Sequence, residues 1–250
     1  MIPRVIHYCW FGGKPLPEMA QWCLASWRKR MPDYESVRWD EDNFDVYSVP
    51  YTAEAYRLGL YAFVSDYARL WILHHHGGIY LDTDVELLRP LDDMLARGPF
   101  MGQEQVIYPD GVTIYCAMGL GVACQAGHPF ITRMLDHYRH THFVSWTGRQ
   151  GDTIVDITRR MLASEPIERL EDGIVRVAGF TVYPWPWLCP MNYFTGQMDI
   201  RPEAHAFHHY ASSWVRDYSH QPLLQKLRRR LRAALTRVQL LIPQLSQRGG

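Results

Sequence analysis

Asp82-Thr83-Asp84 follows the apolar run Ile79-Tyr80-Leu81 in a chain of 250 residues. Carboxylates at the end of a buried strand cost free energy unless they are paired or bound to a cation. Two hard oxygen donors there could hold Mg²⁺ or Mn²⁺ and leave sites open for phosphate oxygens. Strand periodicity predicts that Tyr80, Asp82 and Asp84 share one side. The alternative is an aspartate capping a turn, which is how the second Asp-x-Asp, Asp40-Glu41-Asp42, is read. Asp66 and Arg69 stand one helical turn apart, off the apolar stripe of their helix. They fit a surface ion pair, or a pair facing a cleft in which Asp66 accepts ligand hydroxyls and Arg69 steadies a charged group. His74-His75-His76 are adjacent on a helix, so they fan around its axis and cannot converge on one ion.

These residues need an alternating framework to bring them together. Val5 to Trp10 reads as a buried first strand closed by Gly12-Gly13. A helix is expected from Glu18 to Arg30, stopping before Pro32, and a second strand from Ser36 to Trp39. Phe63, Tyr67, Leu70, Trp71 and His74 recur at helical spacing and predict a helix over Phe63 to His76. Gly77-Gly78 ends it before the strand Ile79-Tyr80-Leu81. Further strands are expected at Phe100 to Gln105 and Ile114 to Val122, and helices at His128 to His140 and Asp152 to Leu162. Ile174 to Val177 and Thr181 to Tyr183 read as a hairpin. Pro184 to Pro190 reads as a loop whose Trp185 and Trp187 are either packed or a ligand platform, and His205 to His209 as a last strand. Strand and helix alternation predicts an α/β sheet with ligands at strand ends.

Lys plus Arg equals Asp plus Glu at 26 each, so no net field recruits nucleic acid. Apolar residues make up 47% and charged residues 21%, the composition of a folding chain. The five Cys (9, 23, 116, 124, 189) lack zinc-type spacing and predict reduced core thiols and a cytosolic setting. No secretory leader or run long enough to span a bilayer is expected. From Pro222, Leu224, Leu227, Leu231, Leu235 and Val238 line one face of a helix rich in Arg and Lys. The chain therefore divides into a domain over 1–221 and a basic amphipathic helix over 222–250. That helix would either lie on an anionic membrane surface or pack on the domain.

Three blocks carry a resemblance: Ile2-Pro3-Arg4-Val5-Ile6-His7-Tyr8-Cys9-Trp10-Phe11-Gly12-Gly13, Ser65-Asp66-Tyr67-Ala68-Arg69 and Gly77-Gly78-Ile79-Tyr80-Leu81-Asp82-Thr83-Asp84. In order and spacing they resemble glycosyltransferase family 32. That family holds DXD sugar transferases of bacterial capsule and lipopolysaccharide synthesis and yeast-type initiating mannosyltransferases. The middle blocks are also similar to glucosylating bacterial toxins. The resemblance implies a GT-A fold, a divalent cation, a nucleotide-sugar donor and transfer with retention. By position, Trp10 would stack on the nucleobase, and Asp66 and Arg69 would contact the donor sugar. Tyr80 would meet the ribose or phosphates, Asp82 the ribose or sugar and the metal through water, and Asp84 the metal directly. Phe207-His208-His209-Tyr210-Ala211-Ser212-Ser213-Trp214 is similar to the family's His-x4-Ser-Trp ending. His208 would complete the metal or diphosphate site, with His209 its adjacent competitor, and Ser213 and Trp214 would support it. Glu104 falls where the family often has an acid, or else is a solvated strand end. Thr147-Gly148-Arg149 departs from the family's Thr-Gly-Pro, and Tyr183 to Phe194 is only loosely similar.

The expectation is a metal-dependent retaining hexosyltransferase using Mn²⁺ or Mg²⁺. Its donor is a UDP-sugar ahead of GDP-mannose, and its acceptor a glycan or lipid-linked oligosaccharide. It would sit on the inner face of a bacterial membrane. A catalytically idle nucleotide-sugar-binding subunit and a toxin-like protein glycosyltransferase are the alternatives.

Overall fold

A computed structural model describes residues 1–104, 114–143, 152–192 and 196–211. Residues Met1–Tyr210 cluster as one compact unit. The expected boundary at 221/222, the 222–250 helix, Ser213, Trp214 and Thr147-Gly148-Arg149 lie outside the described residues. Among the described residues, no helix is long and apolar enough to cross a membrane.

The chain opens with β1 (Val5–Cys9), α1 (Glu18–Arg30), β2 (Glu35–Trp39), α2 (Pro50–Arg57) and α3 (Tyr61–His76). It continues through β3 (Gly78–Tyr80), β4 (Val85–Leu87), α4 (Asp92–Leu95), β5 (Phe100–Gly102) and β6 (Val122–Cys124). Then come α5 (Pro129–Arg139), α6 (Ile154–Leu162), β7 (Ile167–Arg169), β8 (Val175–Val177), β9 (Phe180–Tyr183), α7 (Trp185–Leu188) and β10 (Ala206–His208). Eight strands form one mixed sheet in the order β2-β1-β3-β6-β5-β9-β8-β7. β1 is parallel to both β2 and β3, β6 runs antiparallel to β3 and β5, and β5 is parallel to β9. β4 and β10 make a separate antiparallel pair. The α/β class is therefore as expected.

Both faces of the large sheet are covered, as period two requires. Tyr80, Met101, Val122 and Cys124 enter one core with α3 and α5, while Ile79, Phe100 and Ala123 enter the other with Leu24 and Trp27 of α1. All five cysteines are free and buried, as expected of core thiols. Between α3 and β3 only glycine serves. Gly78 has φ +97°, and a Cβ there would sit 2.9 Å from the Val5 carbonyl, so β3 could not lie beside β1.

Several expected elements change. Ile114 to Val122 is not a strand: Cys116 makes an isolated bridge to Gln103, a turn follows, and pairing begins only at Val122. The apolar run marked burial there and not extended pairing. The loop after Pro184 contains α7, whose Trp187 stacks on His205 with centroids 5.6 Å apart, which favours packing over a platform. α6 begins at Ile154, two residues after the expected start at Asp152, and Thr153 caps it by accepting from the Asp156 amide. α2, β4, α4, β7 and α7 are additions to the expected set of elements. The hairpin β8–β9 turns tightly through Ala178 and Gly179, both with positive φ.

α3 is the largest departure, because it is buried on more than one stripe. Val64, Ala68, Ile72 and Leu73 are buried along with Phe63, Tyr67 and Leu70. Asp66 and Arg69 are therefore inside, only 8% and 4% exposed, and the surface-pair alternative is overturned. Their ion pair spans 3.0 Å. Arg69→Met is expected to lower unfolding stability by about 3–5 kcal/mol, since it strands a buried carboxylate. Denaturant unfolding of Arg69→Met, and partial recovery in the Asp66→Asn/Arg69→Met double variant, check this.

His7 is a second buried polar anchor. Its Nε2–H donates to the Gly77 carbonyl at 3.0 Å, and its Nδ1 accepts from the Trp39 indole at 3.1 Å. Protonating Nδ1 would break the second bond. Burial lowers its pKa from 6.5 to about 4, against the pull of the Gly77 carbonyl. The folded state thus holds this proton more weakly than the unfolded chain. The contribution is complete above pH 6.5 and is lost as pH falls toward about 4. Wild type is expected to lose about 1–2 kcal/mol more than His7→Asn between about pH 7 and about pH 5 by urea unfolding.

Candidate active site

The parallel strands β1 and β3 end at the same sheet edge, with His7 opposite Tyr80. Trp10 follows β1 there, half-buried, its indole N–H donating to the Lys14 carbonyl at 2.6 Å. β3 stops at Tyr80, so Asp82 and Asp84 lie in the turn between β3 and β4 and not on an extended strand. That turn closes through the Val85 amide donating to the Asp82 carbonyl at 3.0 Å. Expected and observed positions agree for Tyr80 and Asp82, whose side chains meet: the phenol donates to Asp82 Oδ1 at 3.1 Å.

The Asp82 backbone amide donates to the Gly119 carbonyl at 2.9 Å. A Cβ on Gly119 would collide with Asp82 Oδ2 and stand 3.1 Å from an Arg69 nitrogen. Gly119 is thus the wall that lets Asp82 approach Arg69. The guanidinium bridges Asp66 at 3.0 Å and Asp82 at 3.4 Å, lies 4.8 Å from the Tyr80 ring centroid, and donates through Nε to the Ser65 carbonyl. Burial works against the Arg69 charge, but Asp82, Tyr80 and Asp66 together outweigh it and hold the guanidinium protonated. Burial pushes the Asp66 carboxyl up to about 7 against the pull of Arg69.

β10 brings the late histidines to the same turn. It pairs with β4, placing His208 opposite Val85, and the His209 amide donates to the Asp84 carbonyl at 2.9 Å. His208 Nε2 lies 3.1 Å from Asp84 Oδ1, whereas His209 points to Glu86 at 3.1 Å and packs on Trp22. Of the two imidazoles, His208 faces the acids. Burial disfavours its charge, yet the Asp84 carboxylate raises its pKa well above the ordinary value. One oxygen each from Asp82 and Asp84 and one His208 nitrogen lie within 4.8 Å of one another. Among the described residues this is the group of acids and imidazole whose donors converge. Two hard oxygens and an imidazole nitrogen suit a divalent cation of the Mn²⁺ or Mg²⁺ type. The trio His74-His75-His76 does not converge: His74 meets Thr132 and His75 stacks on Trp71.

Glu104 is no solvated strand end. Its amide donates to the Tyr115 carbonyl, and its Oε1 accepts from the Tyr210 hydroxyl at 2.8 Å. Burial raises its carboxyl, partly offset by His208. Gly119, Tyr210 and Cys189, whose sulfur lies 2.9 Å from the Tyr210 hydroxyl, are the neighbours that sequence reasoning missed. Tyr210 stood inside the quoted 207–214 block, but nothing in the residue types marked it. Gly119 could have been flagged only as half of a Gly-x-Gly between apolar residues.

Residues 17–101 match the family described as glycosyltransferase sugar-binding region containing DXD motif. The chain is 25% identical over 161 residues to inositol phosphoceramide mannosyltransferase 1 of Schizosaccharomyces pombe, covering 58% of this chain and 46% of that protein. It is 28% identical over 162 residues to mannosyl phosphorylinositol ceramide synthase CSH1 of Saccharomyces cerevisiae, covering 61% and 40%. It thus spans less than half the length of these relatives. A solved structure of galactosyltransferase LgtC, in complex with donor and acceptor sugar analogues, shares 15% identity with a TM-score of 0.40 over 73% of this chain and 74% of that one. Over residues 17–101, a third of its length, the chain is thus similar to glycosyltransferase sugar-binding regions that contain a DXD motif.

Proposed function

We propose that this chain moves a hexosyl group from a nucleotide-sugar donor to an acceptor hydroxyl, with retention of configuration, in a GT-A-type cleft. The observation that carries the reading is the convergence of Asp82, Asp84 and His208 beside the guanidinium of Arg69. Asp84 and His208, with Asp82, would hold a divalent cation, Mn²⁺ ahead of Mg²⁺ because an imidazole joins the carboxylates. When bound, that cation supplies Lewis-acid neutralisation of the departing diphosphate.

The chain's own residues do the rest. Arg69 offers a fixed positive charge that Asp66 and Asp82 keep oriented, so no reorganisation is needed when negative charge develops. Asp66 accepts donor hydroxyls, Tyr80 meets the ribose or phosphates, and Trp10 stacks on the base at the same sheet edge. The acceptor hydroxyl attacks on the face the diphosphate leaves, and a leaving-group oxygen takes its proton. The acids near the site support this over a covalent intermediate. Asp66 is engaged by Arg69 and raised by burial to about 7, and a Glu104 oxygen is taken by Tyr210. Neither is a free carboxylate nucleophile.

The mannosyl transfer named for the relatives moves GDP-mannose ahead of the UDP-sugars as donor. A lipid-linked or glycan hydroxyl is the acceptor, and the basic 222–250 segment would hold the protein to anionic lipid at the cytoplasmic face.

A panel of GDP-mannose and UDP-sugars with Mn²⁺, read by thermal stabilisation and by release of nucleoside diphosphate, tests the reading. Stabilisation without turnover would assign an idle binder, and no response to any donor would remove the function. Asp84→Asn is expected to abolish Mn²⁺-dependent turnover while its circular dichroism stays that of wild type. Trp10→Ala is expected to weaken nucleotide binding by about 1–3 kcal/mol by calorimetry, and unchanged affinity would take the indole out of the base site.

A further inference from the structure

We infer that Tyr210 is a positioning residue whose ring sets the His208 imidazole against Asp84. The inference rests on the reading of Asp82, Asp84 and His208 as a cation site. Three independent observations meet at this residue. Its ring lies against His208 with centroids 4.1 Å apart and planes inclined by 52°. Its hydroxyl donates to Glu104 Oε1 at 2.8 Å and lies 2.9 Å from the Cys189 sulfur. Its backbone has φ +48°, in the left-handed region that a bulky side chain occupies only under steric strain. Such a conformation persists where the surroundings over-determine it.

The anchors explain how it persists. Glu104 follows β5 of the large sheet, while His208 ends β10 of the small one. The Tyr210 phenol therefore ties the two sheets together beside Asp84. Tyr210 comes two residues after the end of β10, and its ring lies alongside the imidazole it follows. With its far end held by Glu104 and Cys189, the ring limits rotation of the imidazole away from Asp84. A phenylalanine keeps the ring but loses both anchors. Glycine takes the same backbone without strain and removes the ring altogether.

The test compares wild type, Tyr210→Phe and Tyr210→Gly by titration with Mn²⁺ alone and by ¹⁵N shifts of the His208 ring in metal-free protein. Tyr210→Gly is expected to melt cooperatively and to bind Mn²⁺ about ten- to a hundred-fold more weakly, as loss of a group that orients a ligand does. Tyr210→Phe is expected between the two. Should Tyr210→Gly not fold, Tyr210→Asn takes its place, since Asn also tolerates this backbone. Wild-type Mn²⁺ affinity in the ring-less variant would overturn the inference. If wild type itself binds no Mn²⁺, the cation reading fails, and the metal-free ¹⁵N shifts decide the brace. His208 shifts that change in Tyr210→Gly support it, and shifts identical to wild type overturn it.

Discussion

A single buried guanidinium organises the acidic end of this sheet. Arg69 lies inside α3, where its charge would be untenable without partners. It has Asp66 from its own helix, Asp82 from the turn after β3, and the face of Tyr80. Each of these is also near the others, so moving one exposes a charge to a low-dielectric interior. The carboxylates are thereby aimed without relying on loop stiffness. A donor phosphate entering here would meet an arginine that is already desolvated and oriented.

The rest of the architecture supplies approach and room. Parallel β1 and β3 discharge at one edge, which brings Trp10 and Asp82 to the same side of the molecule. Gly78 permits those strands to touch, and Gly119 leaves the space that the Asp82 carboxylate occupies. The small β4–β10 pair then closes the turn from the far side and delivers His208. Helix α1 packs behind β4, with the Trp27 indole donating to the Val85 carbonyl at 2.7 Å and Ser26 accepting from the Leu87 amide. The turn that carries Asp84 is thus held by the element on its other face.

The spread of acid strengths around these residues follows from this packing. Burial keeps Asp66 and Glu104 above the ordinary carboxyl range, and each is already engaged by a donor. His208 is raised too, but burial opposes its charge and the Asp84 carboxylate is what raises it. Neighbouring acids in distinct environments can take distinct roles, one binding a cation and another accepting hydroxyls.

Much of this was legible in the residues alone. Apolar periodicity located α3, flanking prolines bracketed α1, and Gly77-Gly78 located the break before β3, because helix periods and the conformations of proline and glycine are local properties. The Asp82-Thr83-Asp84 signature and its likeness to known transferases pointed to the site for the same reason. Tertiary structure decided what local pattern cannot encode. The burial of Asp66 and Arg69 depends on a second face of α3 meeting another layer. The choice of His208 over His209 depends on the register of β10 against β4, which joins residues 124 apart in sequence. Gly119 and Tyr210 matter only because the fold carries them to Asp82 and Glu104. Side-chain direction at such distances is set by pairing between remote strands, and no spacing within one segment records it.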